Sequence, residues 1–400
     1  MVAQLSLVSR PRWRINRGDV VEVLRSEPDN SFDGVLCDPP YGLSFMGKKW
    51  DYDVPSVELW REVLRVLKPG APLLAFGGTR TYHRMVVAIE DAGFEIRDQL
   101  AWMYGSGFPK SLDVSKAIDK AAGAVREVVG PNPRAAQQTP KHGTLALGDF
   151  AGVGDITAPS TPLAQQWQGY GTALKPAHEP IVLARKPLDG TVAENVARWG
   201  VGGLAIDGCR VGMTKGVPWS PKRAGASMHT GSMPGHDGGS GHDPNIGRWP
   251  ANVILDEEAG AILDAQSGDR PSTLTGRADP KKRHAHPADP NAERGSMFGN
   301  SKAGGAVYAD SGGASRFFYC AKVSTRERAG SKHPTMKPIA LTEYLARLIM
   351  PPRPGLLLVP FAGSGSEMIG ALRAGWAGIV GIEREAEYVE TARRRLETVT

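Results

Sequence analysis

The chain has 400 residues, 41% of them hydrophobic, and a formal net charge of +6 at pH 7. This composition excludes a disordered chain, and the length allows a catalytic domain with a second module. The three cysteines form no CxxC pair, which argues against a disulfide framework and a structural zinc site. Neither a signal peptide nor a transmembrane segment is indicated, so we expect a cytoplasmic protein with no membrane partner.

The first hundred residues alternate strand and helix patterns. Short apolar runs that end at prolines or glycines predict strands at 32–37, 73–76 and 94–102. Helices are predicted at 56–67 and 81–92. The first of them has an apolar stripe and ends at Lys68-Pro69-Gly70. Alternation of this kind predicts an α/β fold with a mostly parallel sheet.

The middle of the chain has a different composition. Residues 111–165 are rich in Pro, Gly, Gln and Thr with little periodicity, and only 179–186 reads as a strand. From about residue 200 to 315, Gly, Pro, His and Ser dominate. Loops this long are either functional or disordered. The basic cluster Lys281–His284 is either a phosphate contact or part of a solvated loop.

The α/β pattern returns near the carboxyl terminus. Strands are predicted at 356–359 and 379–382, and helices at 367–374 and 385–397. The glycine-rich turn Pro360-Phe361-Ala362-Gly363-Ser364-Gly365-Ser366 joins the first strand to its helix. Glycines allow a ligand to approach the backbone closely, and a helix start offers unpaired amides. Glu383, twenty residues after Gly363, is placed to accept hydrogen bonds from ribose hydroxyls.

A second loop, Asp38-Pro39-Pro40-Tyr41, follows the first predicted strand. The two prolines fix the backbone and remove two amide donors, which leaves carbonyls as the only main-chain polar groups. A carboxylate beside a rigid carbonyl forms an acceptor pair suited to an amino group. Tyr41 is a candidate for stacking on a planar base. We interpret Cys37, just before this loop, as a small buried hydrophobic residue.

Together these loops resemble motifs of the DNA amino-methyltransferases. Asp38-Pro39-Pro40-Tyr41 resembles the catalytic tetrapeptide of that family, and Pro360–Gly365 resembles its cofactor-binding motif. The segment His333–Pro338 is similar to the one that encloses the methionine end of the cofactor in that family, so Lys337 and Pro338 become cofactor-binding candidates. Gly18-Asp19 stands where the family has an acid that contacts the cofactor adenine.

The resemblance implies a fold class and a division of the chain. We expect a Rossmann-like methyltransferase fold, an α/β architecture with a mostly parallel, doubly wound and circularly permuted sheet. Residues 1–190 would form the catalytic half with an irregular insert at 111–165, residues 191–315 the target-recognition region, and residues 316–400 the cofactor-binding half.

The implied activity is direct methyl transfer from S-adenosyl-L-methionine to the exocyclic amino group of a base extruded from double-stranded DNA. The candidate catalytic residues are Asp38, Pro39, Pro40 and Tyr41. The candidate cofactor-binding residues are Asp19, Lys337, Pro338, Pro360, Phe361, Gly363, Ser364, Gly365, Ser366 and Glu383. No metal is required, because a sulfonium methyl is already activated. A homodimer and a cognate restriction endonuclease stay open as partners.

Several alternatives to adenine N6 methylation stay open. Asp38 at the head of the tetrapeptide favours adenine N6 over cytosine N4, although the acceptor pair would serve either amino group. Cytosine C5 chemistry is disfavoured, because the chain has no Pro-Cys dipeptide. RNA or a protein amide as the substrate and a nicotinamide-dependent dehydrogenase fit less well. Val359 stands where the family usually has Asp, which leaves a catalytically impaired DNA-binding homologue as a further reading.

Overall fold

The computed structural model describes residues 13–43, 53–107, 111–131, 155–212, 247–271, 311–321 and 336–399. The strands of this part of the chain are β1 (Trp13–Arg17), β2 (Gly34–Cys37), β3 (Pro72–Phe76), β4 (Glu95–Met103), β5 (Val128–Gly130), β6 (Ile156–Thr157), β7 (His178–Arg185), β8 (Val253–Asp256), β9 (Arg270–Pro271), β10 (Ser311–Gly312), β11 (Tyr319–Ala321), β12 (Leu356–Val359) and β13 (Gly378–Glu383).

The helices of the described residues are α1 (Val20–Leu24), α2 (Val57–Val66), α3 (Tyr82–Asp91), α4 (Val114–Ala121), α5 (Pro162–Gln166), α6 (Val192–Trp199), α7 (Glu257–Ser267), α8 (Ile339–Leu348), α9 (Ser366–Ala374) and α10 (Ala386–Glu397). The strands and helices predicted in the first hundred and the last fifty residues all form, as does the strand at β7. No element was predicted from the sequence at β1, α1 or α8.

Nine of these strands form one sheet, in the order β1-β13-β12-β2-β3-β7-β4-β8-β11. Strand β7 runs antiparallel to β3 and β4, and the other neighbouring pairs are parallel. The α/β fold with a mostly parallel sheet is therefore confirmed. Because β12 and β13 lie between β1 and β2, the two ends of the chain share one sheet. The carboxyl ends of the parallel strands β2, β12 and β13 meet at the same edge of the sheet, as the permuted arrangement requires.

Helices cover both faces of the sheet, so it is doubly wound. Alternate residues of β2 point in opposite directions: Leu36 packs in the core cluster that contains α8 and α9, whereas Val35 packs with α1, α2 and α3. In β3 the same alternation separates Leu74 from Leu73. All four side chains are fully buried. Strands covered on both faces read as continuous apolar runs, which is the pattern that predicted them.

The insert between β4 and β7 is more regular than the sequence suggested. The prediction of irregular structure throughout 111–165 is wrong for residues 114–121, which form α4. It is also wrong for α5 and for the short β5–β6 pair. The fully buried carboxylate of Asp119 joins these pieces: it accepts hydrogen bonds from Arg126 at 2.6 Å and from the Thr161 hydroxyl at 2.7 Å. The apolar periodicity of α4 is too short to stand out in a Gly- and Pro-rich stretch.

Part of the second glycine-rich region also forms regular structure. The prediction of irregular structure across 200–315 is wrong for 253–267, where β8 pairs with β4 in the main sheet and α7 follows. The Asp256 carboxylate caps α7 through the Ala259 amide at 2.6 Å and accepts from the Gly105 amide after β4. The local signal was a three-residue apolar run followed by an acidic helix start.

Some sequence predictions lie outside the described residues, among them the basic cluster Lys281–His284 and the proposed target-recognition positions 213–246 and 272–310. The helices of the described part of the chain are too short or too polar to cross a membrane.

Candidate active site

The two loops singled out in the sequence line one cleft at the carboxyl edge of the sheet. Asp38 follows β2, the glycine turn follows β12, and Glu383 ends β13. The residues that line the cleft are Gly18, Asp19, Val20, Asp38, Pro39, Pro40, Tyr41, Leu43, Glu179, Met336, Lys337, Pro360, Phe361, Ala362, Gly363, Ser364, Ser366, Glu367, Ile382, Glu383, Arg384, Glu385 and Tyr388. Among the candidate site residues, only Pro338 and Gly365 do not line it.

The tetrapeptide is held by contacts on both sides. Asp38 follows a fully buried strand, and its side chain is 15% exposed. The phenol of Tyr41 donates to Asp38 Oδ1 at 2.7 Å, and the Tyr41 carbonyl accepts from the Thr81 hydroxyl at 2.5 Å. The loop therefore has a fixed position at the end of β2. Since Pro39 and Pro40 have no amide hydrogen, the Pro39 carbonyl and the Asp38 carboxylate are acceptors without a competing main-chain donor between them.

A buried cation, Lys337, lies at the centre of this site. Its Nζ donates to Asp38 Oδ2 at 2.7 Å and to the Tyr41 oxygen at 3.1 Å, and it forms an ion pair with Glu179 Oε2 at 3.1 Å. The ammonium thus has two hydrogen-bond acceptors and a second carboxylate beside it. Nζ also lies 4.8 Å from the centre of the Phe76 ring. Lys337, predicted to bind the cofactor, is therefore placed against the tetrapeptide Asp38-Pro39-Pro40-Tyr41 within the same cleft.

Burial and charge fix the protonation states of this cluster. Burial disfavours the charged form of Lys337, but the carboxylates of Asp38 and Glu179 outweigh it and hold the lysine pKa above its usual value. Burial, followed by the same two carboxylates, raises the pKa of Tyr41 well above its usual value. At neutral pH the lysine is a cation and the tyrosine is a neutral donor. Two carboxylates and one ammonium leave one net negative charge beside the acceptor pair.

The glycine turn has backbone conformations that side chains rarely adopt. Gly363 and Gly365 have φ values of 49° and 83°. The Gly363 amide donates to Glu383 Oε2 at 2.9 Å, and the Glu385 amide donates to Oε1 at 2.8 Å. Burial raises the pKa of Glu383, and these amides oppose the shift. Each carboxylate oxygen retains a second lone pair, so Glu383 can still accept a ligand hydroxyl.

The turn is also fixed by the carboxyl-terminal helix. Arg395 of α10 donates to the Ser364 carbonyl at 2.6 Å and to the Ser366 hydroxyl at 3.3 Å. A side chain at Gly365 would meet Ala392 of the same helix at 3.1 Å, which explains why this position packs against α10 instead of lining the cleft. Within the described part of the chain the residue before α9 makes no side-chain cap, so the first-turn amides stay available to a ligand, except that of Glu367, which faces its own carboxylate.

The remaining predicted positions have identifiable local roles. Asp19 lines the cleft and caps α1 by accepting from the Val21 amide at 2.9 Å. Pro338 begins α8, where its carbonyl accepts from the Thr342 amide, and it lies just outside the cleft. The part of the preceding segment at 333–335 lies outside the described residues.

The cleft residues that were not identified from the sequence include the acids Glu179 and Glu367. Glu179, at the start of β7, contacts both Lys337 and Tyr41, and no local motif marks it. Glu367 is only 4% exposed and lies in the first turn of α9. An acid four residues after Gly363, in the opening turn of the predicted helix, was the available signal for Glu367. Cys37 is fully buried, and burial raises its thiol pKa well above its usual value, so no reactive thiolate forms there.

A doubly wound sheet with a glycine turn, a following carboxylate and a cleft at its carboxyl edge defines an α/β protein of the nucleotide-cofactor-binding class. The acceptor loop at the neighbouring strand end lines the same cleft. This chain belongs to the N6/N4 methyltransferase family, described as DNA methylase, whose sequence model matches residues 32–394. The cofactor of this family is S-adenosyl-L-methionine.

Individual relatives match this chain over part of its length or at low sequence identity. The type II methyltransferase M.HindIII of Haemophilus influenzae is 31% identical over 150 residues, which are 36% of this chain and 37% of that protein. A solved structure of a DNA modification methylase from Thermus thermophilus, complexed with S-adenosyl-L-methionine, is 15% identical with a TM-score of 0.40, over 96% of this chain and 93% of that one. The PvuII DNA methyltransferase, which is cytosine-N4-specific, is 13% identical with a TM-score of 0.42, over 97% and 90%.

The match to M.HindIII spans well under half of that protein. Since both structural similarities have TM-scores below 0.5, family membership depends on the family match alone.

Proposed function

We propose that this protein is an S-adenosyl-L-methionine-dependent DNA methyltransferase that methylates an exocyclic amino group, adenine N6, of a base extruded from the duplex. The observation that carries the proposal is the shared cleft: the Asp38-Pro39 acceptor pair and the glycine turn at 363–365 come from opposite ends of the chain and meet at one sheet edge. A nicotinamide-dependent dehydrogenase would leave the acceptor pair unexplained.

The cofactor-binding half of the cleft fits S-adenosyl-L-methionine. Gly363 has no side chain to block a ligand, and Glu383 retains lone pairs for the ribose hydroxyls. Asp19 lies on the same side, where the family resemblance implies a contact with the adenine. Pro360, Phe361, Ser364 and Ser366 complete the wall around the turn. When bound, the cofactor supplies an activated methyl group on a sulfonium.

The catalytic half acts by orientation and electrostatics. An exocyclic amino nitrogen is a poor nucleophile, because its lone pair is delocalised into the ring. Hydrogen bonds from its two protons to the Asp38 carboxylate and the Pro39 carbonyl would favour a more pyramidal nitrogen with its lone pair directed into the cleft. Tyr41 and Lys337 occupy one lone pair on each oxygen of Asp38 and so fix its plane, and a second lone pair on each oxygen is still available.

The charge of the cluster favours the reaction. The target nitrogen develops positive charge as it is methylated, and the two carboxylates with one ammonium have one net negative charge to stabilise it. The carboxylate of Glu179 supplies this net negative charge. Without it, Lys337 would cancel Asp38, so Glu179 is proposed as a residue that tunes the site.

Adenine N6 is proposed as the target because Asp, and not Ser, begins the tetrapeptide. Cytosine N4 is the second candidate, since the same acceptor pair can orient either amino group. Extrusion of either base costs a few kcal/mol, and Tyr41 is proposed as the stacking surface. Its phenol oxygen faces Asp38 and Glu179, so stacking would use the exposed part of the ring.

We propose double-stranded DNA as the partner and 191–315 as the target-recognition region, apart from β8, which belongs to the main sheet, and α7, which follows it. DNA as the substrate agrees with a cytoplasmic location. A homodimer and a cognate restriction endonuclease are separate proposals, to be tested by sedimentation of the purified chain and by pull-down with the candidate nuclease.

The proposal is tested by incubating the purified chain with tritiated cofactor and duplex DNA, RNA or protein. Label is expected in DNA only. Single-molecule sequencing of DNA from a methylation-free host that expresses the chain would then give the modified base, its atom and the recognition sequence. Label in RNA or protein, with none in DNA, would contradict the proposal.

A further inference from the structure

Glu367 is a buried carboxylate of the cleft. It is 4% exposed, lines the cleft, and is the second residue of α9 after the glycine turn. Among the described residues, no side chain donates a hydrogen bond to it or forms an ion pair with it. A buried carboxylate is unfavourable unless it is neutralised or given a donor. Apart from the Glu367 amide itself, the donor for this carboxylate is therefore expected to come from a ligand.

The surroundings of Glu367 favour a cation. Burial raises its pKa to about 7, and the charge of Asp38 adds to this shift, while its own amide, Lys337 and Arg395 oppose it. Neither Lys337 nor Arg395 forms an ion pair with Glu367. Instead, Lys337 pairs with Asp38, and Arg395 donates to Ser364. A bound cation in contact with the carboxylate would stabilise its ionised form.

The chemistry of the cofactor identifies that cation. The methionine end of S-adenosyl-L-methionine has two positive groups, the sulfonium and the α-ammonium. A sulfonium has no hydrogen to donate, whereas an ammonium has three. Ribose hydroxyls and a target amino group are also donors, but Glu383 and the Asp38-Pro39 pair are the acceptors placed for them. Of these donors, the α-ammonium is the one to which no other acceptor in the cleft has been assigned.

The family resemblance implies an acid at position 359 that helps to hold the cofactor's amino group, and this chain has Val359 there. Val359 is fully buried, packs in the core cluster that contains α8 and α9, and does not line the cleft. We propose that Glu367 binds the α-ammonium group of S-adenosyl-L-methionine and so replaces the acid that the family has at position 359. This inference rests on the proposed function, since it requires that the cofactor binds in this cleft.

The test compares three ligands by titration calorimetry on the full chain without DNA: S-adenosyl-L-methionine, S-adenosyl-L-homocysteine and 5′-methylthioadenosine, which lacks the amino-acid part. Loss of a charge-assisted hydrogen bond in Glu367→Gln should weaken the first two ligands by about 10- to 100-fold. The affinity for methylthioadenosine should stay at the wild-type value, which also shows that the cleft is folded. Glu367→Asp should recover part of the loss, and Glu390→Gln, on the exposed side of α10, should change none of the three.

Three outcomes would overturn the assignment. They are an unchanged affinity of Glu367→Gln for both amino-acid-containing ligands, an equal loss for methylthioadenosine, and a loss confined to S-adenosyl-L-methionine, which would assign the contact to the sulfonium. If the wild-type chain bound none of the three ligands, the proposed function itself would fail.

Discussion

Lys337 Nζ lies 2.7 Å from Asp38 Oδ2, and 299 positions of the chain separate these two residues. This contact joins the carboxyl-terminal half of the fold to the acceptor loop of the amino-terminal half. It exists because β12 and β13 lie between β1 and β2, so that the segment before β12 reaches the end of β2. In the proposed function, one buried ion pair therefore serves both stability and catalysis.

Removal of the lysine charge should destabilise the fold. Lys337→Met would leave Asp38 and Glu179 buried together without a cation, at a cost of about 3–5 kcal/mol in the free energy of unfolding. Urea denaturation of the purified chain measures this cost. The double variant Lys337→Met/Asp38→Asn should recover part of it, because one buried charge is removed.

A surface ion pair provides the control for Lys337. Arg25 and Glu58 are 62% and 68% exposed, so Arg25→Met should cost less than about 1 kcal/mol. If Lys337→Met were as stable as Arg25→Met, the cluster would not contribute to stability as described.

Glu383 should contribute to binding of the nucleoside part of the cofactor. Glu383→Ala removes the acceptor for the Gly363 amide and for the ribose hydroxyls, so affinity should fall by about 10- to 100-fold. Unlike the effect of Glu367→Gln, the loss should be the same for S-adenosyl-L-methionine and for methylthioadenosine. Calorimetry with Glu387→Ala as an exposed control measures it. Wild-type affinity for methylthioadenosine in Glu383→Ala would refute the ribose contact.

The raised pKa of Glu367 predicts a pH-dependent stability difference. Because the folded form takes up the proton near pH 7 and the unfolded form near pH 4.5, unfolding releases this proton between the two values. The contribution of Glu367 to stability is thus greatest below pH 4.5 and decreases as the pH rises to about 7. Glu367→Gln, which stays neutral, should therefore melt higher than the ligand-free wild type at pH 8, by roughly 5 °C, and at the same temperature near pH 4.5.

Thermal melts at half-unit pH intervals test this, with Glu390→Gln as the control that should follow the wild type throughout. A constant offset between Glu367→Gln and wild type from pH 4.5 to pH 8 would show that Glu367 does not titrate in the folded protein in this range.

Much of the fold could be predicted from the sequence, because its core strands are continuous apolar runs between turn residues. The prediction was wrong for α4, β8 and α7, where a short apolar pattern is embedded in Gly- and Pro-rich sequence. Such elements are defined by tertiary contacts, among them the Asp119 hydrogen bonds and the pairing of β8 with β4. Local pattern cannot reveal these contacts.

The site was predictable where its residues are contiguous in the chain. The tetrapeptide and the glycine turn were recognised as motifs, and they line one cleft. Glu179 was not identified, because it becomes a neighbour of Tyr41 only when β7 inserts beside β3. Glu367 follows a recognised motif, but its significance depends on its burial and on the absence of an acid at Val359.

The central claim is that Asp38 directs methylation to a base amino group, and nucleoside analysis tests it most directly. DNA from a methylation-free host expressing wild type or Asp38→Asn would be digested to nucleosides and analysed by mass spectrometry, with cofactor affinity and expression level measured for both. We predict N6-methyladenine with the wild type, a decrease of at least about 100-fold with Asp38→Asn, and similar cofactor affinity. Equal methylation by both proteins, or no methylated nucleoside from an expressed wild type that binds the cofactor, would contradict the account.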